Sequence, residues 1–382
     1  MTQAASRAVF DAAFWSWVEH LRSGGSTTWR EWRSVEHAYV APRWPVPPTA
    51  AQLETVRSLS LRGTGVRLDY TGRFDWLADL VLTTPVGGRG PVDLRLPWAG
   101  LEVAEPDALP ARELLRVSVS AIAGWCATAP PLPMHVPRAS RLRRRPWRGS
   151  FVLVGSSPHA GAVRQALHDA GHAEGGRRPT VLVFGAPLEA MIAVHWRRRV
   201  EGGAELRWRR LWSEMAVRGA LPRTVDLASV ADEWAARVGP ERVHVILSED
   251  CHDAVAAAGR ILGIRLRGGV GSRSNAVDTD LLRRLNQALA TQHVSIRRRP
   301  LEGDLSEVFF RSWDGTPAVP AAQQSWAMAQ GEQLAAEIAG RPYATHGDPR
   351  VVVPSTDGDR EQGVDPRRTL DLAREILWWL LR

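Results

Sequence analysis

Residues 151–167, FVLVGSSPHAGAVRQAL, concentrate the groups in this chain that could do chemistry. Phe151, Val152, Leu153 and Val154 are four apolar residues in a row and predict a short buried strand. They run into Gly155, Ser156, Ser157, Pro158, His159, Ala160 and Gly161, a turn of small residues. Val163, Ala166 and Leu167 then fall on one face of a helix. A strand, a small-residue turn and a helix make a cradle for an anion, because turn N–H groups and the positive end of the helix face the ligand. Gly155, Ser156, Ser157, His159 and Gly161 are the candidate contacts, and Arg164 on the first helical turn can swing toward the same anion. His159 stands where a phosphate-binding lysine is expected.

The rest of the chain must hold that turn in place. With 382 residues, of which 44% are hydrophobic, it can form two domains with a substantial core. The net charge is +8, and all 49 basic residues are arginine. A Schiff-base lysine and a phosphate-loop lysine are therefore excluded, and any phosphate must be held by Arg, His, hydroxyls or backbone N–H groups. The basic balance fits an anionic ligand, whether nucleotide, sulfated glycan or nucleic acid, or else a solvated arginine-rich surface. Cys126 and Cys251 have no metal-ligand spacing and form no disulfide framework, so no metal is expected. No apolar run approaches the roughly 20 residues of a membrane span. The N-terminal MTQAASRAVFDAAFWSW carries an early acid and no small-residue cleavage site, so a cytoplasmic protein is expected.

Residues 1–137 read as a mainly helical domain. Phe10, Phe14, Trp17, Val18 and Leu21 recur at helical spacing, Thr27 and Thr28 can cap a second helix, and Thr49 a third carrying Leu53, Val56 and Leu59. Further helices are predicted over 74–82 and from Pro110 to Ala127. Trp15, Trp17, Trp29, Trp32, Trp44 and Trp76 lie in this half. They suit the core of a small helical domain, and interleaved with arginine they could also stack bases. Residues 138–149 form an arginine-rich linker, either a solvated tether or a grip on a phosphate backbone.

From 150 to 355 the pattern becomes α/β. Apolar runs at 181–184 and 243–247 predict two more strands, separated by helices over 187–200, 205–218 and 228–238. Helices over 252–262, 277–291 and 320–339 follow. Strands alternating with helices predict a parallel sheet with helices on its faces, and ligands on such sheets sit at the carboxyl ends of the strands. Residues 155–161, 185–187 and 248–250 should then border one crevice. The tail, 356–382, ends in an amphipathic helix with Leu370, Ala373, Ile376, Leu377, Leu380 and Leu381 on one face. It can dock on the protein, pair with a partner or lie on lipid.

Four stretches in this order carry a family resemblance: FVLVGSSPHAG, VDLASVADEWAARVGPERVHVIL, SNAVDTDLLRRLNQAL and VPAAQQSWAMAQGEQLAAEIAGRPYATHGD. Over about 150–355 the chain resembles the sulfotransferase-like P-loop proteins common in actinobacteria. Residues 1–149 lie outside the resemblance. The resemblance implies a P-loop sulfotransferase-like parallel sheet flanked by helices, here preceded by the helical domain. It also implies 3′-phosphoadenosine 5′-phosphosulfate as donor, a transferase activity and a glycan or small-molecule hydroxyl as acceptor.

In the family a lysine and hydroxyls of the loop hold the phosphosulfate. The matching residues here are Pro158, His159, Ala160, Gly161, Ala162 and Val163, so the lysine is histidine and the hydroxyl positions are apolar. An arginine that grips the 3′-phosphate after the next strand is matched by Ala186. If transfer occurs, His159 and Arg164 replace the missing cations and His195 is the candidate base for an acceptor hydroxyl. Otherwise His195 is a surface residue beside Arg197. The expectation is a member with an eroded donor loop, a non-catalytic binding or scaffolding subunit. Its protein partner would be engaged through the N-terminal domain or the C-terminal helix. An active sulfotransferase is the alternative and a nucleic-acid-binding protein the third reading.

Overall fold

The computed structural model describes residues 3–35, 37–38, 40–63, 71–86, 109–128, 151–266, 276–291, 316–355 and 364–381. The arginine-rich stretch 138–149 lies outside the described residues. The chain forms two compact units. One comprises Met1–Leu132, Arg284–Val308 and Asp365–Arg382, the other Pro133–Arg283 and Phe309–Val364.

The first unit is helical. Its elements are α1 (Gln3–Arg22), α2 (Trp29–Trp32), α3 (Ala50–Gly63), α4 (Thr71–Thr83), α5 (Ala111–Thr128) and, from the far end of the chain, α13 (Pro366–Trp379). Thr28 and Glu31 form a reciprocal capping box at α2. Thr49 and Gln52 do the same at α3, with Gln52 N on Thr49 Oγ1 at 3.3 Å and Thr49 N on Gln52 Oε1 at 2.8 Å. Gln52 is itself buried, and its amide donates to the carbonyls of Val81, Leu82 and Thr84 at 2.9–3.0 Å. One side chain thus closes the start of α3 and the unsatisfied end of α4. Trp17 and Trp29 are buried with ring centroids 5.2 Å apart, and Trp17 Nε1 donates to Thr27 O. Trp15 is buried as well, Trp32 and Trp44 are half-buried, and Trp76 is exposed. The amphipathic C-terminal helix packs on α5.

The second unit is α/β. Its sheet strands are β1 (Phe151–Val154), β2 (Thr180–Gly185), β3 (Val243–Leu247) and β4 (Ala344–His346), all parallel and ordered β1-β2-β3-β4. Helices α6 (His159–Asp169), α7 (Leu188–Glu201), α8 (Trp208–Arg218), α9 (Leu227–Val238), α10 (Cys251–Leu262) and α12 (Gln324–Ala339) join or follow the strands, and α11 (Ala276–Thr291) begins in this unit and continues into the stretch assigned to the helical one. No described helix is long and apolar enough to cross a membrane. β4 goes unpredicted by the sequence, which reads 320–339 and the Gly-Asp turn after it with no strand between.

Strand periodicity sends alternate residues to opposite faces. Phe151, Leu153, Leu182, Phe184 and Ile246 pack with α6 and α10. Val181, Val183, Val243, Val245 and Leu247 pack with α7, α8, α9 and α12. A tryptophan chain runs through this second layer, Trp196–Trp208–Trp212–Trp326, with successive ring centroids 5.4, 5.6 and 6.2 Å apart. The connection leaving β1 therefore turns to one face, that leaving β2 to the other, and that leaving β3 back to the first. Ligands on parallel sheets bind where the loops from neighbouring strand ends diverge to opposite faces, which on this sheet is the carboxyl end of β2.

Candidate functional site

Four residues, 155–158, connect β1 to α6. Gly155 has φ +102°, and a Cβ there would lie 2.6 Å from the backbone oxygen of Phe184 in β2. The turn presses on the neighbouring strand so closely that only glycine fits. Gly155→Ala is expected to cost at least about 1–3 kcal/mol. A lowered urea midpoint with unchanged slope checks this, and an unchanged midpoint contradicts it.

The polar groups of the turn are largely spent on one another. Ser157 Oγ accepts from His159 N at 3.2 Å, and Ser157 O accepts from Ala160 N at 3.3 Å. Pro158, at the N-cap, has no N–H to offer. The matched loop positions Ala160, Ala162 and Val163 face the core.

His159 is only 6% exposed. Its Nε2 lies 3.0 Å from Ser248 O, 89 residues along the chain. A carbonyl only accepts, so Nε2 carries the proton. Burial lowers the imidazole's pKa, against the Ser248 carbonyl and Asp250, which pull it up. The ring is therefore neutral at pH 7 and places no cation in the loop. Ser248 N in turn donates to Gly185 O at 3.3 Å, and Ser248 Oγ donates to Asp250 O at 2.7 Å. His159, Ser248 and Gly185 thus tie the ends of β1, β2 and β3 into one hydrogen-bonded row.

Arg164 is paired elsewhere. Its Nε donates to Glu174 Oε1 at 2.5 Å, and Glu174 Oε2 accepts from Leu153 N at 3.3 Å. Gly161 is exposed. His195 lies on α7 with Nδ1 3.2 Å from Thr224 Oγ1. Burial and then Arg199 and Arg198 lower its pKa, so it too is neutral at pH 7. His195 bonds to Thr224 and His159 to Ser248, so among the described residues the two histidines have separate partners.

Two residues that the sequence does not single out stand out in this unit, the first of them beside the turn. Arg198 NH1 is 3.5 Å from Ser156 Oγ, which brings an exposed guanidinium of α7 to a serine that is 0% exposed. Three consecutive arginines point about 100° apart around a helix, so one of 197–199 facing the sheet end is foreseeable. Which one faces it is not. Asp278, on the first turn of α11, is 6% exposed, and neither oxygen has a hydrogen-bond partner. Burial pushes its carboxyl up to about 8 despite the opposing field of Arg197.

Chemically, among the described residues the turn brings the Arg198 guanidinium and the buried Ser156 hydroxyl together, and Ser157 Oγ meets the backbone of His159 and not its ring, so that serine is not paired with a base. The chain matches no protein-family model, no curated protein and no solved structure.

Proposed function

We propose that the chain is a sulfotransferase-like protein that does not transfer sulfuryl groups and serves as a binding or scaffolding subunit. The observation that carries this reading is the His159–Ser248 hydrogen bond. The residue at the lysine position is a neutral clamp between strand ends, and Arg164 is held by Glu174. The residues present do not fit 3′-phosphoadenosine 5′-phosphosulfate. Such a donor needs cations and hydroxyls at its bridging and terminal oxygens, and the matched positions supply a neutral imidazole and buried alanine and valine side chains. Each charge-assisted hydrogen bond lost costs about 1.5–3 kcal/mol. Two or three lost together remove several powers of ten in affinity.

One observation favours the enzyme reading, namely Arg198 beside Ser156. Calorimetric titration with adenosine 3′,5′-bisphosphate separates the two. The expected result is no binding at millimolar ligand. Micromolar binding that disappears in Arg198→Ala would overturn the non-catalytic reading and place the donor product at that guanidinium.

A further inference from the structure

Strands β3 and β4 carry a histidine pair on the sheet face that also holds Ile246. His244 pairs with Ala344 in register and Ile246 with His346, so the two histidines are diagonal neighbours on one face. His244 Nδ1 is 3.2 Å from His346 Nε2, and the ring planes are 32° apart. Both side chains are half-buried, so solvent reaches them. We infer that His244 Nδ1 and His346 Nε2 form a two-histidine site for a late first-row divalent cation, of which zinc is the probe.

The spacing carries the argument. Two nitrogens 3.2 Å apart, each about 2.0–2.1 Å from a metal, subtend about 99–106° at it, close to the tetrahedral angle. Imidazole is the ligand class that zinc, copper, nickel and cobalt share. A metal takes the lone pair of an unprotonated imidazole nitrogen, so each ring ligates in its neutral form. In the metal-free pair one of the two nitrogens carries the shared proton. On metal binding that proton moves to the other nitrogen of its own ring, so no net proton leaves the pair. Water completes the coordination from the exposed side. The site staples the three-residue strand β4 to β3 across the sheet.

Asp250, His252 and Asp253 also bring ligand atoms within 4.8 Å of one another. They are exposed, and Asp250 Oδ1 is committed to the N–H groups of His252 and Asp253. That cluster serves as the internal control.

The test is equilibrium dialysis of the full chain against zinc, with X-ray absorption at the zinc edge. One equivalent is expected to bind with two imidazole nitrogens in its shell. Affinity is expected to fall by about tenfold or more in His244→Ala and in His346→Gln and to stay unchanged in Asp253→Asn. Circular dichroism confirms that each variant is folded, and the absorption spectrum of the unaltered protein reads the ligands without any variant. Three results would overturn the assignment: no binding at millimolar zinc, a shell with fewer than two imidazoles, or affinity lost only in Asp253→Asn.

Discussion

Asp278→Asn is expected to flatten the protein's stability against pH between about 4 and 8. The carboxyl is buried without a hydrogen-bond partner, and burial pushes its pKa up to about 8. In the unfolded chain it ionises near pH 4. Between those values the unfolded state has released a proton that the folded state still holds. Folding then takes up a proton, and stability falls as pH rises. The contribution is full below the unfolded pKa and is lost as pH climbs through the folded one. Each pH unit of that window is worth at most about 1.4 kcal/mol, so the loss from pH 4 to pH 8 is on the order of 5 kcal/mol.

Asparagine does not titrate, and whatever its amide costs in the same place is constant with pH. The difference between variant and unaltered protein therefore grows steadily in favour of the variant as pH rises. Urea unfolding at half-unit intervals measures it. A difference that stays level from pH 4 to pH 8 would show that Asp278 is ionised or solvated in the folded state.

The same residue shows where sequence reading stops. Nothing in the residue types of DTDLLRRL sets Asp278 apart from Asp280. Burial without a partner is a tertiary fact. The three longer strands are legible because each is an apolar run between breakers. β4 is not, since Ala-Thr-His has neither length nor alternation and pairs only through its neighbour's register.

The candidate site divides the same way. Gly155 and the serines after β1 announce a tight turn, and the turn is there. What the turn does depends on Ser248, whose carbonyl reaches His159 from the end of another strand. The emptied lysine position looks like a loss in the sequence. In three dimensions it is a neutral imidazole bridging two strand ends. Arg164 likewise reads as a free cation on a first turn until Glu174 folds back onto it.

The C-terminal helix is the largest case, and its removal has the largest expected effect. Its period marks an apolar face but not what covers that face. The structure supplies α5, with Leu370, Leu372, Ala373, Ile376 and Leu377 all buried. Arg73 NH1 donates to Leu381 O at 2.8 Å, and Phe74 and Trp378 have ring centroids 6.5 Å apart. The Arg62–Asp371 pair at 3.5 Å is largely exposed and adds little. Burying four large aliphatic side chains stabilises by roughly 1.5–3 kcal/mol each, about 6–12 kcal/mol in all. A whole domain is stable by about 5–15 kcal/mol. Deleting residues 365–382 should therefore unfold the helical unit. Helical circular dichroism is expected to fall by much more than the 14 residues of α13 account for. Amides of α5 should lose their protection from exchange, and a peptide of 365–382 added in trans should restore part of it. A truncated chain that keeps its remaining helicity and melts at the original temperature would mean that α5 is stable without this cover. The exposed face of α5 would then be open to another partner.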